Sequence, residues 1–147
     1  MEMQEMTYRE AIRLAMSEEM RRDNDVIFMG EDIGVYGGGF GVSVGMIDEF
    51  GEERVMDKPI SESVIVGAAA GAAVTGLRPI CEMMFMDFIS FGMDSLVNQA
   101  AKLRYMFGGE AQVPMVVRLP SGSGTGAAAQ HCQTLEAWMC HVPGLKV

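Results

Sequence analysis

The sequence predicts an α/β domain built on a mainly parallel sheet with helices on both faces. Short, continuously apolar segments alternate with segments of helical periodicity from one end of the chain to the other. Strands that are apolar on both sides, without alternation, are typical of parallel sheets covered by helices. The length of 147 residues and the hydrophobic fraction of 49% suit one globular domain with a substantial core.

The first half of the chain is predicted to form two helices and two strands. Thr7 and Glu10 have the spacing of a capping box, and apolar residues recur behind them at helical intervals. Residues 26–29 form an apolar run that stops at Gly30, as expected of a buried strand. A glycine-rich loop over 34–41, a short helix over 44–50 and a second strand over 54–57 follow.

The second half is predicted to continue the same alternation. Ser61 can cap a helix that runs to about residue 75 and stops at Gly76. Next come a strand over 79–84, a long amphipathic helix over 87–106, a strand over 115–119, a loop over 121–130 and a short helix over 134–140. Residues 144–147 look like the beginning of another strand. We therefore expect residues 1–147 to form one domain that is incomplete at its C-terminus.

The charge balance argues against two classes of partner. Lys plus Arg is 11 and Asp plus Glu is 20, which gives a net charge of −9. A nucleic-acid-binding surface needs many basic side chains to meet phosphates, and an anionic membrane surface attracts basic segments. We expect neither nucleic acid nor membrane as a partner.

The cysteines and the N-terminal residues indicate the compartment. The three cysteines include no C-x-x-C pair, so a disulfide framework is not expected and a reducing environment fits. The N-terminal segment resembles neither a signal peptide nor a transit peptide. The longest apolar run, residues 64–74, is far shorter than the ~20 residues of a membrane span. We expect a cytoplasmic protein.

One glycine pattern allows a nucleotide-binding interpretation. Residues 122–127 satisfy G-x-G-x-x-G/A just after a predicted strand, as in dinucleotide-binding domains. The pattern lies late in the chain, and no second strand with a ribose-binding acid follows it. A flexible loop at the carboxyl end of a parallel strand explains the same residues, and ligands of α/β sheets bind at such ends.

Glu62 is a candidate proton carrier. It lies in the first turn of a predicted helix whose body is entirely small and apolar, so we expect that helix to be buried. Gly67 and Gly71, four residues apart, would allow close approach of another backbone. A first-turn acid that complements the helix dipole explains Glu62 equally well.

Two further candidates lie after predicted strands. Met84 and Phe88 could form an apolar slot for a flat ring, although core packing is the simpler interpretation of such Met- and Phe-rich sequence. His131 follows a loop at the end of a strand, where a structural or a catalytic role is open. No metal-ligand spacing of a common type is present.

Ordered blocks of sequence resemble one family. The chain is similar, from about residue 7 to 147, to the β subunit of the thiamin-diphosphate-dependent first component of 2-oxo acid dehydrogenase complexes, with pyruvate and acetoin dehydrogenases most alike. The blocks are GEDIG from Gly30, PISE from Pro59, GLRPICE from Gly76, NQAAK from Asn98, YMFGG from Tyr105, AQH from Ala129 and HVPGLK from His141.

The resemblance implies a pyrimidine-binding, transketolase-like domain and roles for particular residues. Glu62 matches the glutamate that hydrogen-bonds N1′ of the aminopyrimidine and so promotes formation of the cofactor's own base. Phe88 matches the aromatic residue that stacks on that ring, with Met84 and Ile60 beside it.

The resemblance also implies partners and an assembly. His131 matches a histidine that faces the reacting centre, and Glu31 matches an acid of a polar channel between paired active sites. Mg²⁺ and the diphosphate would be held by an α subunit, since the family's Gly-Asp-Gly motif is missing from this chain. The implied assembly is an α2β2 heterotetramer that passes an acyl group to a lipoyl-bearing acyltransferase. Lys58 and Cys132 replace the usual Thr and Ser.

The function expected from this resemblance is oxidative decarboxylation of a 2-oxo acid, or cleavage of acetoin, with acyl transfer to a lipoyl group. Two other functions remain as alternatives. One is an NAD(P)-binding oxidoreductase domain that uses residues 122–127, and the other is a non-catalytic assembly domain.

Overall fold

The computed structural model describes residues 5–147 and has the predicted α/β architecture. Helix α1 spans Tyr8–Arg22, strand β1 Val26–Gly30, α2 Met46–Phe50, β2 Val55–Asp57, α3 Glu62–Val74 and β3 Arg78–Glu82. A 3-10 turn at Met86–Phe88 leads into α4 (Ile89–Met93), a π-helical segment (Asp94–Ala100) and α5 (Ala101–Met106). Strand β4 spans Val116–Arg118 and α6 Glu136–Cys140.

The strands of residues 5–147 form one sheet in the order β2-β1-β3-β4, with every neighbouring pair parallel. In its register, Gly30 lies beside Asp57 on one side and Glu82 on the other, and Glu82 lies beside Arg118. The last residues of all four strands therefore meet along one edge, which we call the carboxyl edge.

Strand β1 shows why helices cover both faces of the sheet. Val26 and Phe28 pack with α1 and α2 in one core cluster, whereas Ile27 and Met29 pack with α3 in another. Successive side chains of a strand point to opposite faces, so a strand that is apolar throughout needs cover on both. All five residues of β1 are buried, which confirms the predicted class of sheet.

Local signals at the helix ends are also confirmed, with one exception. The Thr7 hydroxyl accepts from the Glu10 amide and the Glu10 carboxylate accepts from the Thr7 amide, which is the predicted capping box. Gly76 follows α3 with a φ of 110°, a conformation that favours glycine. Ser61 occupies the N-cap position of α3, but its hydroxyl donates to the Pro59 carbonyl (2.9 Å) and does not cap the helix.

Two further expectations were wrong. Residues 144–147 form no strand within the described chain: Gly144 lies so close to the Ala101 carbonyl that a Cβ would collide with it, and Leu145 packs on the core cluster that contains Leu96. Helix α3 is not buried all round. One face packs on the sheet and on α4, whereas the opposite face exposes Val64 and Gly71.

The described helices include none that is long and apolar enough to cross a membrane. The cytoplasmic location stays a prediction.

Candidate functional site at the carboxyl edge

The carboxyl edge is where the strand order creates a crevice. After β1 the chain leaves toward β2, and after β3 it leaves toward β4 on the opposite side. In open α/β sheets ligands bind at such a switch point, outside the carboxyl ends of the strands. Glu31 directly follows β1, and Met84 is the second residue after β3.

Glu31 ties the end of β1 to the start of α3. Its side chain is buried, and its Oε1 accepts a hydrogen bond from the Ser61 amide at 3.2 Å. Burial raises the pKa of Glu31, the Ser61 amide opposes this, and the negative charges of Glu62 and Asp32 raise it further. Glu31 and Glu62, two predicted site residues from different elements, are thus electrostatic neighbours.

Glu62 and Ile60 flank Ser61 on the open side of this edge. Glu62 is the first residue of α3 and is partly exposed. Ile60 is 82% exposed, which is unusual for a large apolar side chain. A carboxylate beside an exposed apolar side chain can contact a ring that is polar at one edge and apolar on its faces.

An aromatic cluster lies after β3 and contains two of the predicted site residues. The ring of Phe85 meets those of Phe40, Phe88 and His131 edge-to-face, with centroid distances of 5.5, 5.8 and 4.7 Å. Phe88 also meets His131 edge-to-face at 5.3 Å. Such pairs add roughly 0.5–1.5 kcal/mol each beyond the area that they bury. The structure therefore brings Phe88 and His131 together, although 43 positions separate them in the sequence.

Met84 lies at the same edge beneath the glycine-rich loop. It is half-buried, and a Cβ on Gly39 would collide with its sulfur, so the loop passes close over the Met84 side chain at this position. Its neighbours Met83 and Met86 are buried in the core, as the simpler interpretation of this segment expected.

Sequence reasoning missed two polar pairs at this edge. The buried Glu82 forms an ion pair with Arg118 across β3 and β4, and burial raises the pKa of Glu82 while Arg118 opposes that rise. Buried Asp87 accepts hydrogen bonds from the Gln133 side-chain and main-chain nitrogens. Acidic residues inside the apolar run 82–88 were the available signal, because carboxylates are rarely buried without partners.

The dinucleotide-binding alternative does not fit the structure. Gly122, Gly124 and Gly126 all have positive φ in an exposed loop, and the next helix begins only at Glu136. In a dinucleotide-binding fold the glycine turn opens directly into the helix whose N-terminus receives the pyrophosphate. Here eight residues of irregular chain, 128–135, lie between the end of the glycine pattern and the helix.

Two grooves lie away from the carboxyl edge. A groove of about 430 Å³ separates α1 from α2, and an apolar groove of about 720 Å³ runs beside β4. Within residues 5–147, no three His, Cys, Asp or Glu side chains are grouped so that they could hold a metal ion.

Comparison with known proteins places these features in a family context. Residues 4–147 match the family model described as "Transketolase, pyrimidine binding domain". The chain is 50% identical over 146 residues to the pyruvate dehydrogenase E1 component subunit beta of Rhizobium meliloti, which covers 99% of this chain and 32% of that protein. Two Bacillus subtilis proteins are also similar. These are the 2-oxoisovalerate dehydrogenase subunit beta (48%, 97% of this chain, 43% of the relative) and the acetoin:2,6-dichlorophenolindophenol oxidoreductase subunit beta (49%, 93% and 44%). The chain thus spans about a third to less than half the length of these relatives.

Proposed function

Since this chain belongs to the family of transketolase pyrimidine-binding domains, we propose that it supplies the pyrimidine-binding half of a thiamin diphosphate site in the β-type subunit of a dehydrogenase complex. The substrate is a 2-oxo acid, such as pyruvate or a branched-chain 2-oxo acid, or acetoin. The observation that carries the proposal is the hydrogen bond from the Ser61 amide to Glu31, which holds Glu62 at the carboxyl edge beside the switch point.

The residues present suit the aminopyrimidine ring. Glu62 offers a carboxylate that can share a proton with a ring nitrogen, and Phe88, Met84 and Ile60 offer apolar contacts for the ring faces. When bound, thiamin diphosphate supplies the carbanion stabilisation that decarboxylation of a 2-oxo acid needs. The protein's task at this half of the site is to orient the ring and to manage the proton at N1′.

In the proposed mechanism, three acid–base residues have separate roles. Glu62 would hold the N1′ edge of the bound aminopyrimidine by a hydrogen bond and exchange a proton with it. Glu31 holds the start of α3 through the Ser61 amide and would contribute an acid to a polar channel between paired sites; burial raises its pKa, which favours the protonated form. His131, held against Phe85 and Phe88, would move a proton during acyl transfer to the lipoyl group.

The proposal includes partners. An α subunit would hold Mg²⁺ and the diphosphate, in an α2β2 assembly that serves a lipoyl-bearing acyltransferase. The outer face of α3 supports a close subunit contact, because Val64, Ala68 and Gly71 leave it exposed, apolar and nearly without side-chain bulk.

Glu62→Gln in the full-length β subunit, assembled with its α subunit, tests the proposal. The amide keeps the size of the side chain but cannot exchange the proton, so turnover should fall by about 10²- to 10⁴-fold. Binding of thiamin diphosphate, followed by calorimetry, should weaken far less. Glu53→Gln, which changes an exposed acid in the turn before β2, is the matched control and should leave turnover unchanged.

Turnover of Glu62→Gln within a few-fold of wild type would refute the role of Glu62. Thermal stabilisation of the wild-type assembly by NAD(P), with no response to thiamin diphosphate, would instead support the dinucleotide-binding alternative.

A further inference from the structure

The turn after β3 holds the loop of His131 through a buried carboxylate. Asp87, in the 3-10 turn Met86–Phe88, is 8% exposed. Its Oδ1 accepts from the Gln133 side-chain nitrogen at 2.7 Å and from the Gln133 main-chain nitrogen at 3.3 Å. Its Oδ2 is buried and has no hydrogen-bond partner. Both of these Oδ1 hydrogen bonds come from one residue of the loop, two positions beyond His131.

The same turn also contacts His131 itself. Phe85 and Phe88, three residues apart, lie on one side of the turn and meet the imidazole edge-to-face at 4.7 and 5.3 Å. Two rings define where the imidazole lies, but edge-to-face contacts between rings do not fix the main chain that carries it. The bonds of Asp87 to Gln133 supply that missing constraint.

The loop has little structure of its own to replace this anchor. Residues 121–130 are almost wholly exposed, and φ is positive at Gly122, Gly124, Gly126 and Ala128. A chain segment of this kind is held mainly by contacts with the rest of the fold. Asp87 lies next to Met86, a core residue, so the loop is anchored directly to the rigid part of the domain.

We propose that Asp87 is a positioning residue that acts through Gln133 to keep the His131 imidazole between Phe85 and Phe88 at the carboxyl edge. The inference rests on the proposed function, in which His131 serves acyl transfer. A carboxylate in apolar surroundings is costly unless it is hydrogen-bonded. Departure of the loop would cost the Asp87 carboxylate its hydrogen bonds from Gln133, so the loop position seen in the structure is favoured.

The ionisation state of Asp87 agrees with this role. Burial tends to raise its pKa, but hydrogen bonds from the Gln133 side chain and from the main chain at Asp87, Gln133 and Cys132 outweigh burial and lower the pKa. The carboxylate is thus an ionised acceptor at neutral pH, and hydrogen bonds to an ionised acceptor are the stronger kind.

The first experiment measures the loop directly, in the full-length α–β assembly, by amide hydrogen exchange and mass spectrometry. Asp87→Ala should speed exchange of residues 121–133 by about 10-fold or more, since it removes charge-assisted hydrogen bonds. Asp87→Asn, which keeps one acceptor oxygen, should give a smaller effect, and so should Gln133→Ala, which keeps the main-chain bond. The control Asp94→Ala removes a carboxylate that accepts from Asn98 on the exposed side of the π-helical segment and should leave the loop unchanged.

The second experiment asks whether Asp87 acts through His131. Asp87→Ala should lower overall complex activity more than decarboxylation measured with an artificial electron acceptor. In a His131→Ala background it should have almost no further effect on that ratio, because residues that act in series are not additive. Unchanged exchange in the loop, or an effect of Asp87→Ala that is fully additive with that of His131→Ala, would overturn the inference. A wild-type assembly without thiamin-diphosphate-dependent activity would overturn the proposed function instead, and the exchange data would still decide whether Asp87 anchors the loop.

Discussion

Arg118→Met removes the partner of a buried carboxylate and should destabilise the domain strongly. Only 4% of the Glu82 side chain and 17% of the Arg118 side chain are exposed, so water cannot replace the lost partner. Leaving one charge of a buried pair unpaired costs about 3–5 kcal/mol. For a domain of this size, a loss of that magnitude lowers the melting temperature by about 6–20 °C.

The destabilisation should depend on pH in a defined direction. Burial already holds the pKa of Glu82 above its ordinary value, and Arg118 is the group that opposes this rise. Without Arg118 the folded-state pKa rises further, whereas the unfolded-state pKa is unchanged. When folding raises the pKa of an acid, the folded state binds the proton more tightly than the unfolded state does. The free energy of unfolding therefore falls as the pH rises through the folded-state pKa. The difference between wild type and Arg118→Met should therefore be largest at pH 8 and shrink toward pH 5.

Urea unfolding followed by circular dichroism at pH 5, 6.5 and 8 provides the measurement. The control is the double variant Glu82→Met/Arg118→Met, which replaces the pair by apolar side chains of similar length. It should recover to within about 1 kcal/mol of wild type, since the cost lies in the unpaired charge and not in the loss of the pair. A single variant that is destabilised equally at all three pH values, or a double variant as unstable as the single one, would refute this reasoning.

Three further predictions concern the edge and the core beneath it. Phe88→Ala in the α–β assembly should raise the dissociation constant of thiamin diphosphate about 5-fold or more, from the loss of a stacking contact of order 1 kcal/mol; titration calorimetry that shows unchanged affinity would remove Phe88 from the ring slot. His131→Ala should lower overall complex activity much more than decarboxylation with an artificial acceptor, and an equal loss in both assays would contradict its assignment to acyl transfer. Gly92→Ala should destabilise the domain by about 1–3 kcal/mol in urea unfolding, because a Cβ there would lie 2.8 Å from the Val66 Cγ2 where α4 crosses α3. Its control, Gly71→Ala, meets nothing within 4 Å and should be neutral or stabilising.

Helix α3 was predicted correctly as a helix, but its burial was predicted wrongly. Its small and apolar residues were expected to be buried throughout, and the helix does span Glu62–Val74 much as predicted. Only one side of it finds a neighbour in residues 5–147, however, and Val64 remains 63% exposed. The apolar composition of a helix indicates that its surface is more stable when it is buried. It does not show whether the residues that bury it belong to the same chain.

The sequence by itself determined the order of helices and strands, the parallel sheet and its cover on both faces. These follow from signals between near neighbours, such as the Thr7–Glu10 capping box, the apolar run of β1 and the glycine after α3. The sequence also identified Glu31, Glu62, Phe88 and His131 as candidates, in part through resemblance to a family.

Only the tertiary structure shows which side chains from distant parts of the sequence contact each other. The register of the sheet puts Glu82 beside Arg118, 36 positions away, and the turn after β3 brings Asp87 to Gln133, 46 positions away. The tertiary structure also shows an unexpected role for Ser61. Its main-chain amide donates a hydrogen bond to the Glu31 carboxylate, and its hydroxyl donates to the Pro59 carbonyl. Hydrogen bonds between such distant residues depend on how strands and loops pack in three dimensions, and no pattern of neighbouring residues encodes that geometry.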